Sequence, residues 1–277
     1  MTFDPGQLGQ SKADLAEALR TLRRRANRTQ VWLALRCNIS QTKLSNIETG
    51  RIAPSVIDVE LIVRALDAPP SLVAEVVALA RLAHTEWQGK RALWRRGLDK
   101  RQAELAGLEA EARKLRYFLP AMMTGLLATP EYIRASLGHS PGDISKTVTK
   151  KLERQTVLYD TTKQFTFLLT EQAVRWAVVP GAAMAVQIDR LVSLSHLPHV
   201  RIGVIPLGAS VSRGPMNTFT IYDQRLATVE TFTGRIVFQD ARDIEEHLKV
   251  FELYERHAHF GPEARGLLGD WADLFRS

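Results

Sequence analysis

Apolar residues recur at helical spacing through the first third of the chain and predict a run of short helices. Leu15, Leu19 and Leu22 form one apolar stripe, and arginines occupy most of the other faces of that helix. Thr29 is predicted to cap a second helix that begins at Gln30, because a threonine side chain accepts a hydrogen bond from the free amides of a first turn. The pattern therefore predicts two amphipathic helices before residue 37.

A tight turn and a third helix follow. Asn38 tolerates the left-handed backbone conformation that such a turn requires, and Ser40 is a good N-cap for the next helix. That helix is predicted over Gln41–Glu48, with two apolar residues three positions apart on its buried side, and Gly50 ends it. This succession of helix, short turn and helix is typical of a compact helical module.

Two more helices complete the N-terminal pattern. Ser55 follows Pro54 and predicts the start of a fourth helix, and a fifth is predicted from Ser71 to about His84. The predicted core residues of the fourth helix are Ile57, Leu61 and Leu66. Together these elements predict an all-α, five-helix module over residues 12–84.

The rest of the chain predicts a helical connector over residues 85–118 and an α+β domain over 119–277 with a small mixed or antiparallel sheet. Thr129 before Pro130 gives a helix start within that domain. The predicted strands are Phe165–Leu169, Val200–Ile205, Thr218–Tyr222, Ala227–Phe232 and Arg235–Phe238. The predicted longer helices are Thr147–Tyr159, Ala182–Leu194, Ala241–His257 and Pro262–Phe275.

The positive charge of the chain lies almost wholly in its N-terminal third. Residues 1–100 hold 16 lysines and arginines against 10 acidic residues, whereas the remainder holds 21 against 20. This asymmetry favours a polyanion as the partner of the first module. No apolar run approaches the roughly 20 residues that span a bilayer, so no membrane partner is expected. The single cysteine, Cys37, excludes an internal disulfide and agrees with a cytoplasmic location.

The third helix exposes side chains that suit the reading of base edges. Its outward face carries short or amide-bearing side chains that donate and accept hydrogen bonds. They are Gln41, Thr42, Lys43, Ser45 and Asn46. A solvated helix face used for protein contact would have the same composition, and this alternative stays open.

Four short motifs give the module a family resemblance. They are Thr29-Gln30, Leu33-Ala34, Ile39-Ser40-Gln41 and Leu44–Gly50. With them the module resembles the helix-turn-helix of the Cro/phage-repressor (xenobiotic-response-element) family, which implies binding to double-stranded DNA. The chain departs from that family at Asn38, where glycine is usual, and at Val31-Trp32, where an acidic pair is usual.

The resemblance also implies roles for individual side chains. Gln30 would contact a phosphate and brace Gln41, and Arg23 would pair with Glu48 beneath the surface. The implied base contacts are Gln41, Thr42 and Lys43, and the implied contacts to the DNA backbone are Asn46 and Arg51.

A second, more thinly spread set of motifs lies between about residues 100 and 270. It comprises Gly125-Leu126-Leu127, Thr129–Tyr132, Arg154-Gln155, Leu169 with Glu171, Gln187 with Leu191, and Val229-Glu230. These residues resemble a C-terminal domain of unknown function that is joined to the same type of module in actinobacterial, antitoxin-like regulators. Thr124 and Ala128 depart from that pattern, which usually has proline and glutamine there. The resemblance implies a regulator with a small partner protein and supplies no known ligand.

No motif predicts catalysis, a metal or a cofactor. The chain lacks glycine-rich phosphate loops, a nucleophile elbow and a His-Glu-x-x-His motif. His257 and His259 form an isolated pair, which is weak support for a metal site. Glu171 and Glu230 are predicted at strand ends, where paired acids could do acid–base work, but capping and salt bridging are the plainer interpretation. The sequence predicts no enzyme.

These observations predict a homodimeric, sequence-specific transcriptional regulator. Its C-terminal domain would dimerise the chain and receive a signal, either a small partner protein or a small-molecule effector. One alternative is an antitoxin that neutralises a small protein toxin and autoregulates its own operon. Another is an enzyme fused to a DNA anchor. The operator sequence and the sign of regulation do not follow from the residues.

Overall fold

The computed structural model describes residues 10–83, 85–89, 98–140 and 143–276, with side chains over 14–80, 102–140 and 143–276. The chain divides into two compact units. The N-terminal unit contains the described residues up to Trp87 together with Ile236–Asp240, and the C-terminal unit contains Gln88–Arg235 together with the residues from Ala241 onward.

The described residues of the N-terminal unit include five helices, as the sequence predicts. They are α1 (Gln10–Arg25), α2 (Gln30–Arg36), α3 (Gln41–Glu48), α4 (Val56–Ala65) and α5 (Pro70–Ala83). The predicted caps are confirmed: the Thr29 hydroxyl accepts from the Trp32 amide at 3.1 Å, and the Ser40 hydroxyl accepts from the Lys43 amide at 3.1 Å. Asn38 is left-handed with φ 54°, and the turn after α3 is left-handed at Gly50 with φ 70°.

The predicted core of α4 is wrong in its register. Ile57 and Leu61 are 68% and 45% exposed, and Leu66 packs only partly against the core. The buried apolar residues of this helix are instead Val56, Val59, Ile62 and Val63. Because apolar residues occur on nearly every face of this helix, their spacing fits two registers and does not choose between them.

The predicted helical connector is only partly correct. Leu98–Glu111 is a helix, α6, which continues through the glycine at 107, but Thr85–Gly89 (β1) and Lys114–Leu119 (β2) are strands. Residues 90–97 of this segment lie outside the described residues. The stretch Lys114–Leu119 was misread because a strand buried in the middle of a sheet has a nearly continuous apolar run and lacks clear alternation.

The C-terminal unit is an α+β domain with a mixed sheet. After β2 the strands are β3 (Gln164–Thr170), β4 (Val200–Ile205), β5 (Phe219–Tyr222) and β6 (Leu226–Glu230), and the first two residues of β7 (Gly234–Phe238) also belong to this unit. Five strands of the unit are neighbours in the order β6-β5-β2-β3-β4. Strand β2 pairs in parallel with β3 and antiparallel with β5, and β3 pairs in parallel with β4. The predicted fold class is therefore confirmed.

Helices cover this sheet. They are α7 (Pro130–Ser136), α8 (Ser145–Arg154), α9 (Glu171–Arg175), α10 (Gly181–Leu194), α11 (Ala241–Glu255) and α12 (Gly261–Asp273). The helix predicted over Thr147–Tyr159 changes to a 3₁₀ turn at Gln155–Tyr159. Among the described residues, no helix combines the length and the apolar character needed to cross a membrane.

Several motif residues of the C-terminal unit hold the loop at residues 125–129. The buried Gln187 side chain donates to the Leu127 carbonyl at 2.9 Å and accepts from the Thr129 amide at 2.7 Å. Gln155 donates to two more carbonyls of the same loop, at 2.7 Å each. A buried loop needs such partners because an unpaired backbone group costs free energy away from water. These glutamines therefore have a structural role.

Candidate nucleic-acid interface

The candidate recognition helix, α3, is fixed from beneath by a buried ion pair. Arg23 on α1 and Glu48 on α3 form two parallel contacts, Nε to Oε1 at 2.6 Å and Nη2 to Oε2 at 2.7 Å. Their side chains are 12% and 1% exposed. The same guanidinium donates to the Arg28 carbonyl at 2.9 Å, just before the N-cap of α2. This geometry sets the position of α3 relative to α1 and α2.

Gln30 belongs to this network. Its Nε2 donates to Glu48 Oε2 at 2.8 Å, and no hydrogen bond between described residues joins it to Gln41. A buried carboxylate is a stronger acceptor than a neutral amide and takes this donor, and the implied bracing of Gln41 stays a prediction. Gln30 remains partly exposed at the N-terminus of α2.

Burial and hydrogen bonding act in opposite directions on Glu48. Burial raises its pKa, and the hydrogen bonds from Arg23 and Gln30 lower it by more, so that the pKa lies below the ordinary glutamate value. Glu48 is therefore ionised at neutral pH and forms a charge-assisted pair with Arg23.

A second acidic residue, Asp58, connects α3 to α4. Its Oδ1 lies 2.8 Å from the ammonium of Lys43, and its Oδ2 accepts from the Ser55 amide at 3.2 Å. Ser55 in turn accepts from the Asp58 amide, which completes a capping box at the start of α4. The contact between Asp58 and Lys43 was not predicted from the sequence, although Ser-x-x-Asp before an apolar run is the pattern of a capping box. The charge of Lys43 is therefore already paired with the Asp58 carboxylate.

Acid should selectively weaken this scaffold. Burial raises the pKa of Asp58, but its hydrogen bonds to Lys43 and Ser55 lower it by more, and the net pKa of Glu48 is lowered as well. A lowered folded-state pKa contributes stability above the unfolded-state pKa of about 4 and loses it as the pH falls through the folded value. We expect amide hydrogen exchange of α3 and α4, corrected for intrinsic rates, to lose protection as the pH falls below about 4. The Asp58→Asn variant should show a smaller loss, and an equal loss would remove Asp58 from this explanation.

The outward face of α3 is open. Gln41 and Thr42 are exposed, Ser45 and Asn46 are partly exposed, and Arg51 is exposed just beyond the helix. Leu44 and Ile47, on the opposite face, are fully buried. Of the three predicted base contacts, Gln41 and Thr42 therefore project from a buried, ion-paired support, and Lys43 is partly exposed and paired with Asp58.

Trp32, whose role the sequence left open, is partly buried on α2. The Arg28 guanidinium lies over its ring, 4.3 Å from the centroid. This cation–π contact connects α2 to the turn that precedes it. Trp32, at a position where the family that the module resembles usually has an acidic residue, therefore has a packing role in this chain.

The candidate acidic and histidine residues of the C-terminal unit do not form a metal site. Among the described residues, no group of three or more His, Cys, Asp or Glu side chains is placed to hold a metal ion. Glu171 accepts from the Leu207 amide at 3.0 Å and pairs with Arg175. His259 lies 3.1 Å from Glu263 on the following helix turn.

Comparison with solved structures gives only distant likenesses. An archaeal chromatin protein, TrmBL2, described as showing a novel mode of DNA binding, shares 10% identity at a TM-score of 0.33 over 64% of this chain and 53% of that one. The chain thus spans about half the length of that protein. A phospholipase D family member, Nuc from Salmonella typhimurium, shares 7% identity at a TM-score of 0.34 over 58% of this chain and 90% of that one. At these TM-scores neither likeness carries a functional argument, and no curated protein matches the chain.

Two family models match different parts of the chain. Residues 14–76 match a helix-turn-helix domain, which agrees with α1–α5. Residues 102–270 match a domain described as being of unknown function (DUF5753), and this match covers more than half of the chain. The protein is therefore a member of the DUF5753 family with a helix-turn-helix domain at its N-terminal side.

Proposed function

We propose that this protein is a sequence-specific, DNA-binding transcriptional regulator. The observation that carries the proposal is the arrangement of α3, whose outward residues Gln41 and Thr42 are exposed while Glu48 anchors its other end to Arg23. A helix held rigidly in this way can present an amide side chain to a base edge in the major groove without losing further conformational entropy on binding.

The charge of the N-terminal unit supports the same proposal. Exposed arginines lie on and beside the first three helices. They are Arg24, Arg25, Arg28, Arg36 and Arg51. Such a surface attracts the phosphate backbone regardless of sequence and supplies most of the nonspecific affinity.

We further propose that the module is of the Cro/phage-repressor type and that the whole chain is an actinobacterial, antitoxin-like regulator. The support is the four N-terminal motifs together with the C-terminal motif residues, several of which hold the loop at residues 125–129. In this proposal the protein acts in the cytoplasm as a homodimer and without catalysis. Its C-terminal unit receives the signal.

Replacing Gln41 should weaken sequence-specific binding. Gln41→Ala is expected to cost about 1–3 kcal/mol of operator affinity and to relax the preference at one base position, because an amide can form two hydrogen bonds to one adenine edge. Binding would be measured by fluorescence anisotropy on operator DNA and on the same DNA with each position changed. Unchanged affinity and unchanged preference would show that α3 does not read bases in this way.

The matched control is Arg51→Ala, at an exposed residue just beyond the same helix. It should weaken all sequences about equally and reduce the slope of log affinity against log salt by about one unit, because it removes one phosphate contact. If the protein binds as a symmetric dimer, the operator should be a pseudo-palindrome with half-sites about 10–10.5 base pairs apart. Footprinting on DNA selected from a random pool would show that spacing.

A further inference from the structure

A cavity of about 340 Å³ lies within the C-terminal unit. Its floor is one face of the sheet formed by β2, β5 and β6, and its walls come from α6, α8 and the loops around residues 122–125 and 136–140. The volume falls within the roughly 300–1,000 Å³ of typical small-molecule pockets, at the small end. No motif in the sequence pointed to it.

The floor of the cavity carries a patch of hydroxyl groups. Thr220 and Tyr222 alternate along β5 and therefore point to the same side, and Thr218, just before the strand, also lines the cavity. Thr220 pairs with Thr228 on β6 and with Tyr117 on β2, which brings their side chains together in one row across the sheet.

Three threonine side chains at the cavity form no hydrogen bond with a described residue. Thr220 and Thr228 on the floor are 7% and 2% exposed, and Thr147 on the α8 wall is 5% exposed. Their hydroxyl oxygens are not among the fully buried side-chain atoms that lack a partner in the described residues, so each oxygen faces the cavity. A ligand in the cavity can therefore bond to all three without displacing a protein partner.

The charged groups at one end of the cavity are already paired. Arg154 lies with its Nε 2.7 Å from Glu109 Oε2, and its guanidinium also donates to Gln102. The Tyr117 hydroxyl donates to Glu109 at 3.1 Å. Burial raises the pKa of Glu109, and Arg154 offsets part of this rise. A charged ligand would disturb this balance, whereas a neutral one would leave it in place.

Lys151 and Glu230 also line the cavity, and each has an interaction partner. Much of the remaining lining is apolar. Leu105, Leu119 and Leu137 lie along the walls and floor, and Met122 and Phe232 are exposed at 43% and 96%. Phe232 belongs to the turn between β6 and β7, where the Thr231 amide donates to the Gly234 carbonyl. An aromatic ring held in water by a tight turn at the edge of a pocket is suited to cover an apolar ligand.

We propose that this cavity binds an uncharged, amphipathic organic molecule that carries hydroxyl or carbonyl oxygens. Its oxygens bond to Thr220, Thr228 and Thr147, and its apolar body lies against the leucines and beneath Phe232. Binding itself requires nothing of the DNA interface. The further step, that occupancy changes operator affinity, rests on the proposed function.

The test uses the full chain and the neutral naphthyl ketone Prodan, which has an apolar body, one carbonyl oxygen and fluorescence that shifts in an apolar site. We expect saturable binding of one molecule per chain with a blue-shifted emission. Thr220→Val and Thr228→Val should each weaken it roughly 3- to 10-fold, since each removes one hydrogen bond and keeps the side-chain shape. The matched control is Thr166→Val on β3, outside the cavity lining, which should leave binding unchanged.

A further variant distinguishes loss of Prodan binding from loss of folding. Phe232→Ser changes a residue that is almost fully exposed, so the fold should persist while Prodan binding weakens several-fold. Prodan binding that is absent, or unaffected by all three cavity variants, would overturn the proposal, as would tighter binding of the anionic dye anilinonaphthalene sulfonate at the same site. Operator affinity measured with and without Prodan tests the regulatory step separately, because binding to the cavity and binding to DNA have independent readouts.

Discussion

Glu48→Ala is expected to lower the free energy of unfolding of the N-terminal unit by about 3–5 kcal/mol. The substitution removes the carboxylate that accepts from Arg23 twice and from Gln30 once, all within 2.6–2.8 Å. The guanidinium of Arg23, only 12% exposed, would then lack its counter-charge in a place where water reaches it poorly. Thermal unfolding followed by hydrogen exchange of α1–α3 measures the change.

The matched control is Glu60→Ala on α4. Glu60 also forms an ion pair with an arginine, Arg64, at 2.7 Å, but the side chains are 32% and 68% exposed. Such exposed pairs contribute about 0–1 kcal/mol, so the control should unfold almost as the wild type does. A double variant, Arg23→Met with Glu48→Leu, should recover most of the stability, because replacing both partners of a buried pair leaves no uncompensated charge. A Glu48→Ala protein as stable as Glu60→Ala would contradict a structural role for the pair.

The local signals in the N-terminal unit were strong enough to predict its elements. Thr29, Ser40, Asn38 and Gly50 each satisfy a backbone requirement within a few residues, so their effect can be read without knowing the tertiary structure. The register of α4 could not be read in this way. It depends on Asp58 reaching Lys43, 15 residues earlier, and on which apolar side chains meet the other helices.

The C-terminal unit shows where the sequence pattern becomes insufficient. Strand β2 lies between β3 and β5, and its pairing partners in those strands come about 50 and 105 residues later in the chain. Because β2 is buried, it lacks the alternation of apolar and polar residues that would identify a strand in the sequence. The cavity is formed by such distant residues. Thr220 and Thr228 read as ordinary strand residues, and only the pairing of three strands brings their hydroxyls onto one floor.

The C-terminal unit should raise the operator affinity of the N-terminal unit by about 10²–10⁴. The expected reason is dimerisation: once one helix-turn-helix is bound, its tethered partner meets the second half-site at a high effective concentration. The helix-turn-helix match ends at residue 76, yet the chain continues through a second unit with its own core, and no motif in the sequence predicts catalysis there. A large attachment of this kind is well suited to joining two chains.

Three proteins decide this prediction: the full chain, a fragment of residues 1–84, and the same fragment fused to a parallel dimeric coiled coil. Light scattering gives their mass, and anisotropy titrations on a two-half-site operator and on a single half-site give their affinities. We expect the full chain to be a dimer and to bind the complete operator far more tightly than the fragment, with the coiled-coil fusion recovering much of the difference. All three should bind the single half-site with similar affinity, because that measurement contains no avidity. The fragment must first be shown to be folded, since the compact N-terminal unit also includes Ile236–Asp240. A monomeric full chain, or a folded fragment that binds the complete operator as tightly, would show that the C-terminal unit does not act by dimerisation.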